Sequence, residues 1–204
     1  MTFVARHLRR AGWTTVLQPT LRYELQPMEH IGQRAARWIR RASTQAGGAA
    51  VDVITHSMGG LALRAALPYT PPLGRVVMLC PPNQGAEMAA WWRERLPLHR
   101  LGWDPFGPLL PSQAPALPTP EGAPVEVGIL IGGRGDARGF NPFLDGDNDG
   151  KVRLVEAELP GAVALRRVDA RHPSVVWRED VLHLAERFLE TGSFPAEPAP
   201  ALPG

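Results

Sequence analysis

Residues Ala49 to Thr55 form a short apolar run with Val51, Val53 and Ile54, and they lead straight into His56-Ser57-Met58-Gly59-Gly60-Leu61. The run is the length of a buried strand, and Leu61 to Ala66 continues as a helix after the two glycines. A strand that feeds a helix through so short a turn implies a parallel sheet with helices packed on it. The turn also constrains chemistry. A serine at its apex sits in strained backbone geometry, so its neighbours must be small. Its hydroxyl is exposed beside a helix N-terminus, where backbone N–H groups and the helix dipole favour a negatively charged oxygen. The usual pattern is G-x-S-x-G; here Thr55 stands at the first glycine. The simpler alternative is a serine that only caps a helix.

The rest of the chain keeps the strand–helix rhythm. Phe3, Val4, His7, Leu8 and Ala11 recur at helical spacing, and Gly12 sits where that helix would end. Thr14 to Gln18 is a short β-prone run. Pro27 opens a second helix with Ile31, Ala35, Trp38, Ile39 and Ala42 on one face. Arg75–Cys80, Val125–Ile131 and Val163–Val168 read as further strands. Val181, Leu182, Ala185, Phe188 and Leu189 line a closing helix that Gly192 stops. Two regions break the rhythm. Residues 84–124 carry Trp91, Trp92, Trp103, Phe106 and many prolines, too long a stretch for a simple connection. They read as a partly helical insertion, a possible cap. Residues 195–204 read as a disordered Pro/Ala-rich tail. The expected organisation is one domain over residues 1–194.

Composition narrows the function classes. The net charge of the 204 residues is +2, and the arginines are spread along the chain, with short clusters at Arg9-Arg10, Arg40-Arg41 and Arg166-Arg167 and no patch that would grip nucleic acid. Lys151 is the only lysine, a bias of the kind a GC-rich genome imposes. Cys80, the only cysteine, ends an apolar run and reads as a buried structural thiol. No stretch reaches the roughly 18 apolar residues of a membrane span, and residues 1–12 carry no signal core, so the chain reads as a cytoplasmic protein.

Taken together, His56-Ser57-Met58-Gly59-Gly60, Pro81-Pro82-Asn83-Gln84-Gly85, Asn148-Asp149-Gly150-Lys151-Val152, His172 and the closing Phe188-Leu189-Glu190-Thr191-Gly192-Ser193-Phe194 resemble the α/β-hydrolase superfamily, specifically its bacterial lipase and esterase-like members. The resemblance covers residues 1–194. It implies an α/β-hydrolase fold, a mostly parallel sheet flanked by helices. It also implies hydrolysis of carboxylic esters, with a small-molecule ester or lipid as substrate and no cofactor or metal. In that fold the triad runs Ser, then Asp or Glu, then His. Ser57 as nucleophile, Asp149 as orienting acid and His172 as base obey the order, and the Met58 backbone N–H would supply one oxyanion contact. Asp136, just after a strand in Gly-Gly-Arg-Gly-Asp, rivals Asp149 for the acid. Among the other histidines, His7 and His30 precede the serine, His56 is held in the turn, His99 lies in the insertion and His183 within the last helix.

Other readings compete. Asp145, Asp147, Asp149, Gly150 and Glu156 have the spacing of an EF-hand calcium loop. The glycines at 132–139 and Pro160 deny that loop its flanking helices. An inactive hydrolase-like fragment or an interaction protein is a further alternative. Finally, the resemblance implies a strand ending in His-Gly ahead of the first helix, lying between Thr14–Gln18 and Val51–Thr55 and followed by a loop that donates a second oxyanion N–H. The chain is thus expected to be an N-terminally truncated form, with Met1 an internal methionine of a longer gene product.

Overall fold

The computed structural model describes residues 1–14, 16–19, 27–96, 98–122 and 124–196. Helix α1 (Thr2–Arg10) and helix α2 (Met28–Gln45) precede strand β1 (Val51–His56). Helix α3 (Met58–Ala66), strand β2 (Leu73–Leu79), helix α4 (Glu87–Arg95), strand β3 (Val127–Gly132), strand β4 (Ala164–Val168) and helix α5 (Glu179–Thr191) follow. The four strands form one sheet in the order β1-β2-β3-β4, and every pairing is parallel.

Burial follows position in the sheet. Central β3 is buried at all six residues, while β1 and β4 are half-buried, as the edges of a parallel sheet with both faces covered must be. Helix α2 buries Ile31, Ala35, Ala36, Ile39 and Ala42 and packs on α3, whose own residues Gly60 to Ala66 are all buried. Helix α5 packs on β2 and β3. There a Cβ on Gly128 would lie 2.7 Å from the Phe188 ring, so the glycine is what lets the helix seat. Gly192, at φ 77°, ends α5 in the left-handed conformation that glycine adopts without steric cost.

The structure departs from expectation at Thr14–Gln18. Thr15 lies outside the described residues, and the others form no strand and do not pair with β1. β-propensity makes a strand only where a partner ladder is available; here the Val16 carbonyl instead accepts a hydrogen bond from the Arg9 guanidinium. Between β2 and β3 the described residues form α4 and three short 3₁₀ turns. Of the tail expected at 195–204, all beyond Ala196 lies outside the described residues. No helix among the described residues is long and apolar enough to cross a membrane.

Candidate active site

Parallel strands deliver their following loops to one edge of the sheet, and polar groups from distant parts of the chain meet there. Ser57 follows β1, Asp149 lies in the loop after β3, and His172 lies in the loop after β4. Ser57 caps α3 with φ 54° and ψ −128°, a conformation rare for a residue with a side chain. It is held from both sides: its N–H donates to the Leu79 carbonyl (2.9 Å), and its carbonyl accepts from the Gly60 N–H (2.9 Å). A Cβ on Gly60 would stand 3.0 Å from Pro81 and 3.7 Å from the Thr55 hydroxyl. A side chain at Gly60 would therefore press on Pro81, while the Thr55 hydroxyl stands at ordinary van der Waals distance.

Three expected side chains form one hydrogen-bonded line. His172 Nε2 is 3.0 Å from Ser57 Oγ, and His172 Nδ1 is 2.6 Å from Asp149 Oδ2. The Asp149 and His172 side chains are almost wholly buried. Asp149 Oδ1 accepts the backbone N–H groups of Lys151 (2.9 Å) and Val152 (2.8 Å), so the carboxylate has a fixed orientation. The His172 N–H donates to the Asp149 carbonyl at 2.8 Å, tying the two loops together. Asn148, fully buried, knots the acid-bearing loop: its Oδ1 accepts from the N–H groups of Asn141 and Gly150, and its Nδ2 donates to the carbonyls of Gly146 and Asn141. The rival Asp136 is elsewhere. Its half-exposed carboxylate caps a turn through the N–H groups of Arg138 and Gly139, which hold it below the usual carboxylate range.

Three contributions escape a reading of the sequence alone. His56 Nε2 is 3.0 Å from the His172 carbonyl, and burial together with the neighbouring His172 lowers its pKa to about 4. His56 is therefore neutral at pH 7, with Nε2–H donating to that carbonyl. Cys80, buried as expected, has φ 49° and accepts the Gly132 N–H at 3.4 Å. Its sulfur, an Asp149 oxygen and a His172 ring nitrogen lie within 4.8 Å of one another; burial, then the Asp149 charge, push the thiol pKa up. Arg64, almost wholly buried, donates to the carbonyls of Asn83 (2.7 Å), Pro118 (2.9 Å) and Leu117 (2.6 Å). It pins residues 115–118 onto α3. An arginine inside the apolar stretch Leu61–Leu67 was the available signal.

The calcium reading fails on geometry. Asp147 accepts the N–H groups of Arg134, Gly135 and Asn148; Asp149 faces His172; Glu156 accepts the N–H groups of Glu87 and Arg153. The spacing is right, but without flanking helices the loop turns its carboxylates to separate backbone partners. None of these residues except Asp149 belongs to a cluster able to hold a metal among the described residues.

Beside Met58, which follows the serine, lies a cavity of about 630 Å³. Met28, Trp103, Pro108, Leu110 and Leu117 line it along with Met58, and an Arg93–Asp104 ion pair (2.9 Å) closes part of the wall.

No protein-family model and no curated protein matches the sequence. Solved structures do. Over 80% of its length the chain is similar to the lipase BlEst2 of Bacillus licheniformis in mature form, with 22% identity, a TM-score of 0.61 and 75% of that chain covered. Against the propeptide form of the same lipase the figures are 86% of this chain, 23% identity, a TM-score of 0.62 and 43% of that chain. Phospholipase PlaB from Legionella pneumophila matches over 75% of this chain and 40% of its own, with 16% identity and a TM-score of 0.52. The chain thus spans less than half the length of the latter two. The fold is that of the α/β-hydrolases.

Proposed function

We propose that this chain of α/β-hydrolase fold is a serine hydrolase that cleaves carboxylic esters through a covalent acyl-enzyme. The observation that carries the reading is the hydrogen-bonded line Ser57 Oγ···Nε2 His172 Nδ1···Oδ2 Asp149, at 3.0 and 2.6 Å. In this reading Ser57 Oγ attacks the ester carbonyl carbon while His172 Nε2 takes its proton. Asp149 holds the imidazole with Nδ1 protonated and stabilises the imidazolium. The carbonyl oxygen gains the negative charge beside the Met58 N–H at the start of α3. His172 then protonates the departing alcohol, and a water, deprotonated by the same imidazole, releases the acid and regenerates the serine.

Residues 84–124 form a cap over the acyl site in this reading, within a hydrolase domain spanning residues 1–194. The cavity beside Met58 takes the acyl part of the substrate. Its wall is largely apolar, and the Arg93–Asp104 ion pair in it is internally neutralised, so it favours an uncharged, apolar chain. A small-molecule ester or a lipid fits this description.

The test is direct. A fluorophosphonate probe labels the chain once, and Ser57→Ala abolishes the label; labelling that survives the substitution, or no labelling at all, overturns the reading. A series of p-nitrophenyl esters of graded chain length then measures how much acyl chain the cavity accepts.

A further inference from the structure

Helices α1 and α5 bring together a second group of titratable side chains. His7, in the last turn of α1, meets His183 and Glu186, which are one turn apart on α5 and so share a face. His7 Nε2 lies 3.0 Å and His183 Nδ1 3.5 Å from the same oxygen, Glu186 Oε2. The two imidazole rings meet edge to face, with centroids 4.8 Å apart. The three ligand-type atoms lie within 4.8 Å of one another. The Glu186 side chain is only 13% exposed, and its hydrogen-bonding and ion-pairing partners are these two imidazoles.

We propose that His7, His183 and Glu186 form a site for one zinc-class divalent cation, which fastens α1 to α5. Two imidazoles and one carboxylate are a donor set suited to zinc, copper or nickel and unsuited to calcium or magnesium. The spacing fits. With ligands at about 2.0–2.1 Å in tetrahedral geometry, neighbouring ligand atoms stand about 3.3–3.4 Å apart, and the two carboxylate–imidazole separations, 3.0 and 3.5 Å, bracket that edge. The cation takes the place of the proton between His7 Nε2 and Glu186 Oε2. Each imidazole coordinates as the neutral tautomer with its proton on the other ring nitrogen, and water completes the fourth position. The site adds to a small apolar contact: α1 buries Val4 and Ala5, and Leu8 packs partly on the core. The site shares no residue with the Ser57–His172–Asp149 line, which makes the proposal independent of the esterase reading.

The experiment uses the full chain, freed of metal with a chelator and dialysed, then titrated with zinc chloride by calorimetry and by thermal melting. The expected result is one zinc per chain and a melting temperature raised by roughly 5–10 °C at a hundred times the dissociation constant. His183→Gln, at a side chain 67% exposed and so harmless to folding, weakens uptake about a hundredfold and removes the shift, as does Glu186→Gln. Cys80→Ser binds zinc like the parent, which separates this site from the Cys80–Asp149–His172 cluster. Failure of the parent chain to bind zinc, unchanged uptake in His183→Gln, or uptake abolished by Cys80→Ser overturns the proposal.

Discussion

Replacing Asp149 by asparagine tests how the acid works, because the structure dictates which way the new amide must face. Asp149 Oδ1 accepts two backbone N–H groups, from Lys151 and Val152, and Oδ2 accepts the His172 Nδ1–H. An asparagine keeps the first pair only with its carbonyl oxygen at the Oδ1 position. Its NH₂ then points at His172 Nδ1, forces that nitrogen to accept, and puts the ring proton on Nε2. The imidazole now donates to Ser57 Oγ and cannot take its proton. The opposite orientation restores the tautomer but aims the NH₂ at two buried N–H donors. Leaving each donor unsatisfied costs about 1–3 kcal/mol, so the productive orientation lies roughly 2–6 kcal/mol uphill. That corresponds to a loss in kcat between about 30-fold and about 3 × 10⁴-fold. The lost charge that stabilised the imidazolium moves the expectation toward the upper end, near the roughly 10⁴-fold of serine proteases. The assay is steady-state hydrolysis of a p-nitrophenyl ester, with circular dichroism to verify the fold. Asp136→Asn, at a half-exposed turn cap, changes kcat less than threefold. A loss under tenfold for Asp149→Asn, or a crippling one for Asp136→Asn, refutes the assignment.

Two further outcomes follow from groups around the line. His56, lowered to about 4 by burial, is uncharged in the fold, whereas the unfolded chain takes up a proton near pH 6.5. Its depressed pKa therefore leaves stability intact above pH 6.5 and removes it as pH falls from about 6.5 to 4, by an amount on the order of 3 kcal/mol. His56→Gln flattens that part of the stability–pH curve measured by urea unfolding, and an unchanged slope contradicts the buried neutral state. Arg64→Met leaves the carbonyls of Asn83, Leu117 and Pro118 without their donor and costs roughly 3–5 kcal/mol. It is expected to lower the melting temperature, raise KM by loosening residues 115–118 beside the cavity, and leave fluorophosphonate labelling of Ser57 in place. A variant as stable as the parent would mean that the segment needs no such post.

The local content of the chain carried much of this. The run Val51–Thr55, the glycines after Ser57, Pro27 before α2 and Gly192 after α5 each encode a strand, a turn or a helix end through short-range sterics and hydrophobic period. Ser57, Asp149 and His172 were legible because each sits in a distinctive local motif in an order that the fold imposes. The boundaries of all four strands differed from expectation by two residues or fewer, where flanking residues fray or extend the ladder. What local sequence could not decide was pairing in space. Thr14–Gln18 has the composition of a strand, yet the described part of it finds no ladder to join. The calcium spacing is present, yet its carboxylates serve separate backbone donors. The His56 bond to the His172 carbonyl, the Arg64 post, and the meeting of His7 with Glu186 each join residues 19 to 179 positions apart. A hydrogen bond has a reach of about 3 Å and a steep angular dependence, so such pairs exist only once the sheet has set its strands side by side and the helices have packed on it.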